Sequence, residues 1–437
     1  MKTWSGAMVA IDRRTVLKTA GGAGLAALLA ACSGGKGATS GDQGSGSSGE
    51  IRALFMKQAA YTEDDVTKMT AAFTTANPGI KVTPEFVAYE ALHDKIVAAG
   101  PAGTYDVVLI DVIWPAEFGS KKMITDVSSQ WAGAWKTDML AGAIATAEYD
   151  QKLYGVPWIM DTKYFFYNDA HLAAAGVNPH GLDTWDGVLQ GAQKLKAAGV
   201  VKYPFIWSWQ QAEALVCDYA QLLGAMGGKF LDDSGKAAFN AGGGVQALEF
   251  MRKTIVDGLS NPASTQSLEA DVQRVFQAGQ ASMVLNWTYM YGAANAAKQS
   301  KIAGKVKVVQ TPKGSAGRPG VNGGMALCVT AGSKNQAAAF KYISHLTSQP
   351  EQNKYALDSL PVWKDSYDDP AVVKTNPAVV PQAKKQLDDL ILRPQAKNYN
   401  AMSQAVQAEL QQALLGRKPA QKALDDAADK ANSLLQS

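Results

Sequence analysis

A chain of 437 residues exceeds one ordinary domain and suggests two or three units of about 150 residues each. Its 47% hydrophobic and 19% charged residues, with 12 Phe, 15 Tyr and 10 Trp, exclude a disordered, collagen-like or coiled-coil protein, and three cysteines exclude a disulfide framework or a four-thiolate zinc site. Of 42 basic and 39 acidic residues, four basic and one acidic fall before Cys32, which leaves 38 of each: a neutral body with no basic run, unlike a nucleic-acid binder.

Residues 1–31 have the parts of an export signal: a basic start, the apolar run Ala20 to Ala31, and small residues before a cleavage point. That run is shorter than the roughly 20 apolar residues a membrane helix needs. Arg13-Arg14-Thr15-Val16-Leu17-Lys18 resembles a twin-arginine export signal, with Asp12 and Val16 departing from the commoner pattern. Leu29-Ala30-Ala31-Cys32 resembles a lipoprotein lipobox, which implies acyl chains such as palmitate on Cys32. Two or more chains, at about 0.8 kcal/mol per buried CH₂, hold a soluble domain at a bilayer. Residues 32–49, rich in Gly and Ser, read as a flexible tether, with the fold beginning near Glu50.

Ile51 to Phe55 reads as a strand, Thr62 to Ala76 as a helix stopped by Asn77-Pro78-Gly79, and Ile80 to Phe86 as a second strand. Tyr89 to Ala99 follows as a helix and Val107 to Ile110 as a strand buried on both faces. Such β-α-β-α-β alternation predicts a parallel sheet with ligand beyond the carboxyl ends of its strands, where Asp111 and Trp114 fall. A second α/β unit is expected from the strands Phe165 to Tyr167, Met283 to Leu285, Val306 to Val309 and Met325 to Val329. Between them Thr184 caps a helix from Trp185 to about Ala198. Ala401 to Leu415 and Pro419 to about Leu435 read as terminal helices.

Several segments, taken in order, carry a resemblance. They are Tyr154-Gly155-Val156-Pro157 with Tyr167-Asn168-Asp169, Thr184-Trp185-Asp186, Phe276 to Met283, Gly323-Gly324 with Ala337 to Gln352, and the tail from Arg393 through Tyr399 to Leu435. Together they resemble the family 1 extracellular solute-binding proteins, the sugar-capturing subunits of ABC importers. The resemblance implies a two-lobed periplasmic-binding-protein-like α/β fold of type II, its discontinuous lobes joined by a hinge. It places residues 51–160 plus about 325–359 in one lobe and 161–324 plus about 360–437 in the other, with crossings near Asp161, Gly324 and Leu360. It also implies a carbohydrate ligand, docking on a membrane permease, a monomer, and no cofactor, metal or catalysis.

A sugar offers hydroxyls and flat C–H faces, so its site needs aromatic faces beside acids and amides. Candidate pairs are Trp114 near Asp111, Trp158 near Asp161, Trp207 and Trp209 beside Gln210, and Trp287 beside Asn286. Trp287 follows a buried strand and is read as a ligand contact; Trp114, Trp158, Trp207 and Trp209 serve either ligand or packing, and Trp185 packing. Asp111 is read as an acceptor for two hydroxyls or as a cap for the next helix, and Arg393 as a donor across the cleft or a salt-bridge partner. Gly323 and Gly324 admit a sugar to backbone amides or permit a hinge bend, while Gln58 and Tyr61 rest on similar family positions. Cys217 and Cys328 are read as inert, with a bridge between them left open. A secreted glycoside hydrolase is the main rival, yet no G-x-S-x-G elbow, H-E-x-x-H or Cys/His cluster appears. A polyol, a sugar phosphate or a glycerophosphodiester remains open as ligand.

Overall fold

A computed structural model of the chain describes residues 49–57 and 60–435. The export signal, Cys32, the tether up to residue 48, and Gln58 lie outside the described residues. Gly49, expected in the tether, is the first residue of a strand. Along the chain the strands are β1 Gly49–Met56, β2 Ile80–Val87, β3 Val107–Asp111, β4 Glu148–Tyr149, β5 Lys152–Leu153, β6 Val156–Ile159, β7 Tyr164–Asn168, β8 Met283–Asn286, β9 Val306–Val309, β10 Gly320–Val321, β11 Met325–Val329 and β12 Leu390–Ile391.

The first lobe is built on a five-stranded sheet of order β2-β1-β3-β11-β6. β1 runs parallel to both β2 and β3, as the β-α-β-α-β alternation requires, because each crossover carries a helix. Helix Glu63–Ala76 starts at Thr62, whose hydroxyl caps Asp65 N–H, and buries Val66, Met69 and Phe73. All five residues of β3 are buried, the condition its continuous apolar run anticipates. β11 returns antiparallel between β3 and β6, so Met325 to Val329 belongs to this sheet and the sheet is mixed.

The second lobe is a further α/β unit, but its strands pair differently from those of the first. Its sheet has the order β8-β7-β9, with both pairings antiparallel. Around it lie the helices Trp185–Ala197, Glu213–Ala225, Gly243–Val256, Tyr399–Leu414 and Ala420–Leu435. Thr184 caps the first of these through Gly187 N–H, and Trp185 is buried against Phe165 and Phe250, a packing role. Between lobes the chain leaves the first sheet at Ile159 and enters the second at Tyr164, then returns between Val321 and Met325. Leu360 bridges to Met160 beside those crossings. No helix among the described residues is long and apolar enough to cross a membrane.

Candidate functional site

A cavity of about 300 Å³ opens between the lobes at the carboxyl end of β3. Six of the sequence candidates line it: Asp111, Trp114, Asp161, Trp287, Gly323 and Arg393. Strand ends put them there, since Asp111 closes β3, Asp161 lies between β6 and β7, and Trp287 follows β8.

Asp111 does not wait for a ligand with two free oxygens. Its Oδ2 accepts from Tyr89 Oη at 2.8 Å and its Oδ1 from Arg393 Nη2 at 2.9 Å and Ile113 N–H at 3.3 Å. Arg393 is buried and donates through Nη1 to Glu213 at 2.8 Å, so one guanidinium joins carboxylates of both lobes. The planar fork suits that arrangement because its two terminal nitrogens diverge. Burial opposes the charge on Arg393, but Asp111 and Glu213 outweigh it and hold the guanidinium firmly protonated. On the same wall Trp114 stacks on Tyr89 at 5.9 Å and lies 5.3 Å from His93. Its indole N–H crosses the cleft to Asn400 Oδ1 at 3.2 Å.

Trp287 is half-buried, and its Nε1 donates to Glu269 Oε1 at 3.0 Å. A Cβ at position 323 would run into the Trp287 ring, so Gly323 is where the indole lies against backbone. Both expected backbone donors are occupied: Gly323 N–H bonds Asp161 O at 3.0 Å and Gly324 N–H bonds Asn322 Oδ1 at 2.8 Å. Gly324 does not line the cavity; a Cβ there would press on Thr146. Asn286 is also set back, its Oδ1 accepting Trp287 N–H at 2.8 Å.

Asp161 is 3% exposed and meets no cation among the described residues. Its Oδ1 accepts from Thr162 N–H at 2.8 Å, Thr288 N–H at 3.3 Å and Thr288 Oγ1 at 2.6 Å. Burial pushes its carboxyl up to about 7, against the pull of those three donors. Behind Trp287 the wholly buried Lys163 contacts Asp218 at 2.6 Å and Glu269 at 3.3 Å, and its ammonium sits 5.1 Å from the Trp287 ring centre.

Four aromatic candidates fall away from the cavity. Trp207 and Trp209 stack at 5.0 Å inside the second lobe, their indole N–H groups donating to Ser260 and Asp218, so burial and internal partners give them a packing role. Trp158 and Tyr61 stack at 4.7 Å within the first lobe's core. Cys217 lines the cavity, and Cys217 and Cys328 are unbridged, burial pushing both thiols up and leaving them unreactive. Tyr89, His93, Glu213, Glu269, Tyr289 and Asn400 line the cavity without having been singled out. Tyr89 and Tyr289 had a usable signal, each being the first residue of a helix just after a strand.

Comparison with known proteins gives concordant matches. Residues 59–353 match the family model for bacterial extracellular solute-binding protein. A Deinococcus radiodurans protein named "Probable ABC transporter-binding protein" is 31% identical over 307 residues, 68% of this chain and 71% of its own length. The maltose-bound MalE3 of T. maritima superposes with a TM-score of 0.82 at 28% identity, covering 88% of this chain and 100% of that one. An ABC transporter solute-binding protein from Thermotoga lettingae, bound with alpha-D-tagatose, gives 0.79 at 26% identity, covering 89% and 100%.

Proposed function

The chain belongs to the bacterial extracellular solute-binding proteins, the extracytoplasmic capture subunits of ABC importers, and on that premise we propose that it binds a mono- or short oligosaccharide between its lobes. The observation that carries this reading is Trp287, half-buried on Gly323, with Glu269 on its indole nitrogen and Asp161 holding the next residue. An indole face beside carboxylates matches the C–H faces and hydroxyls of a pyranose. The Tyr89–Trp114 stack supplies a second aromatic wall from the other lobe. A cavity of about 300 Å³ is at the small end for such sites, which favours one or two sugar rings. The two solved relatives above, one bound to maltose and one to alpha-D-tagatose, support the same ligand class.

The sugar leaves unchanged in this reading, and a membrane permease receives it. Cys32 carries the acyl chains of a lipid anchor, reached by the twin-arginine route, and the protein acts as a monomer with lobes divided near Asp161, Gly324 and Leu360. Isothermal titration against a panel of mono-, di- and trisaccharides, with product analysis, tests the central claim. Saturable one-site binding with sugar recovered intact is expected; silence toward every sugar, or a cleaved glycoside, overturns it. Cys32→Ser should release the protein from the membrane fraction.

A further inference from the structure

Resting on that carbohydrate reading, we propose that the cleft selects a sugar bearing a positively charged amino group over its neutral and acidic counterparts. The charges in and directly behind the cavity wall do not balance. Among the described residues Asp111 and Glu213 share the single cation Arg393, Asp218 and Glu269 share Lys163, and Asp161 has no cation. Carboxylates taken out of water are costly unless paired, so this deficit calls for a positive charge from outside the chain. In its absence Asp161, which burial lifts to about 7, shares a proton with solvent at neutral pH.

The unused atoms fit the same ligand. All three donors that reach Asp161 converge on Oδ1, and both that reach Glu269 converge on Oε1. Oδ2 and Oε2 are left without a protein donor among the described residues, on two carboxylates that line the cavity and hold the successive residues Thr288 and Trp287. An ammonium offers three donors and no acceptor, the complement of two acceptor-only oxygens. A uronate or sugar phosphate meets the reverse condition. Both terminal nitrogens of Arg393 are engaged and its Nε is sealed from solvent, Lys163 is wholly buried, and His93 is held by Glu117 at 2.9 Å and Asp94 at 3.1 Å.

The test is titration of the full-length protein at pH 7 with matched triplets: glucosamine, glucose and glucuronate, and galactosamine, galactose and galacturonate. Charge-assisted hydrogen bonds exceed neutral ones enough to predict about tenfold tighter binding of the amino member in the triplet that fits. The uronate should show no binding, and the amino sugar should release protons, read as a dependence of binding heat on buffer ionisation. Asp161→Asn keeps the Oδ1 acceptor and should bring the amino-to-neutral ratio close to one whatever the absolute affinities; Glu269→Gln should lower the same ratio. A neutral member that binds as tightly as its amine, any uronate binding, or an unchanged ratio in Asp161→Asn overturns the proposal and leaves the carbohydrate reading standing. Silence toward all six and toward the wider sugar panel overturns both.

Discussion

At Trp287 a single side chain touches the cavity, a glycine and a carboxylate, so its variants separate ligand contact from packing. Trp287→Ala should weaken sugar binding by ten- to a hundredfold, about 1.5–3 kcal/mol of lost contact, while shifting the melting temperature little because the ring is only partly buried. Gly323→Ala should give a similar affinity loss by a different route, since the added methyl pushes the ring from its seat. A large drop in melting temperature for Trp287→Ala would identify the ring as core. Asp161 makes a second residue-level prediction. Its folded carboxyl lies at about 7 against an ordinary 3.8, so the folded state holds the proton more tightly than the unfolded chain. That contribution is complete below pH 3.8 and is lost as the pH rises through 7. The stability of the wild type relative to Asp161→Asn should therefore fall between pH 5 and pH 8. Thermal melts of both proteins across that range check it, and a difference that rises with pH contradicts it.

The elements carry a tie that no one residue reveals: Lys163, at the entry to β7, anchors helix Glu213–Ala225 through Asp218 and reaches the cleft through Glu269. Lys163→Met leaves Asp218 buried without its cation and should cost about 3–5 kcal/mol in denaturant melts. Adding Asp218→Asn should recover most of it, because a neutral buried amide no longer needs the ammonium; a loss below about 1 kcal/mol in the single variant would show the pair to be dispensable. The same network shows which parts of the site the sequence could disclose. Asp111 and Trp287 are legible because each follows an apolar strand run, and a strand's end is a local signal. Glu213 and Glu269 are not, because what places them at the cleft lies far along the chain: Arg393 is 180 residues from Glu213, and Trp287 is 18 from Glu269. Trp207 and Trp209 mislead for the converse reason. An indole beside polar residues looks the same in sequence whether its N–H meets a sugar or a buried Asp218. The antiparallel direction of β7, β8 and β9 is equally silent, since four-residue apolar runs pair either way.

For the molecule as a whole, the proposed capture of a sugar between the lobes depends on a balance between open and closed arrangements, and the group best placed to set that balance is Arg393. Its guanidinium ties Asp111 at the end of β3 to Glu213 on the second lobe, with Asn322 O at the crossing as a third partner at 3.2 Å. Trp114 to Asn400, and Gln395 Nε2 to Val112 O at 3.0 Å, are further polar contacts across the same gap. Removing the cation leaves the buried Asp111 and the partly buried Glu213 to repel each other, and opening the cleft to water relieves both. Arg393→Met should therefore enlarge the radius of gyration of the ligand-free protein in small-angle scattering and weaken sugar binding, because affinity is lowered by the fraction of molecules no longer poised to close. The double variant Arg393→Met with Asp111→Asn halves the uncompensated charge and should restore part of the compact population without restoring the link between lobes. An unchanged radius of gyration in the single variant, with wild-type affinity, would mean that the three-way ion pair spans the lobes without holding them.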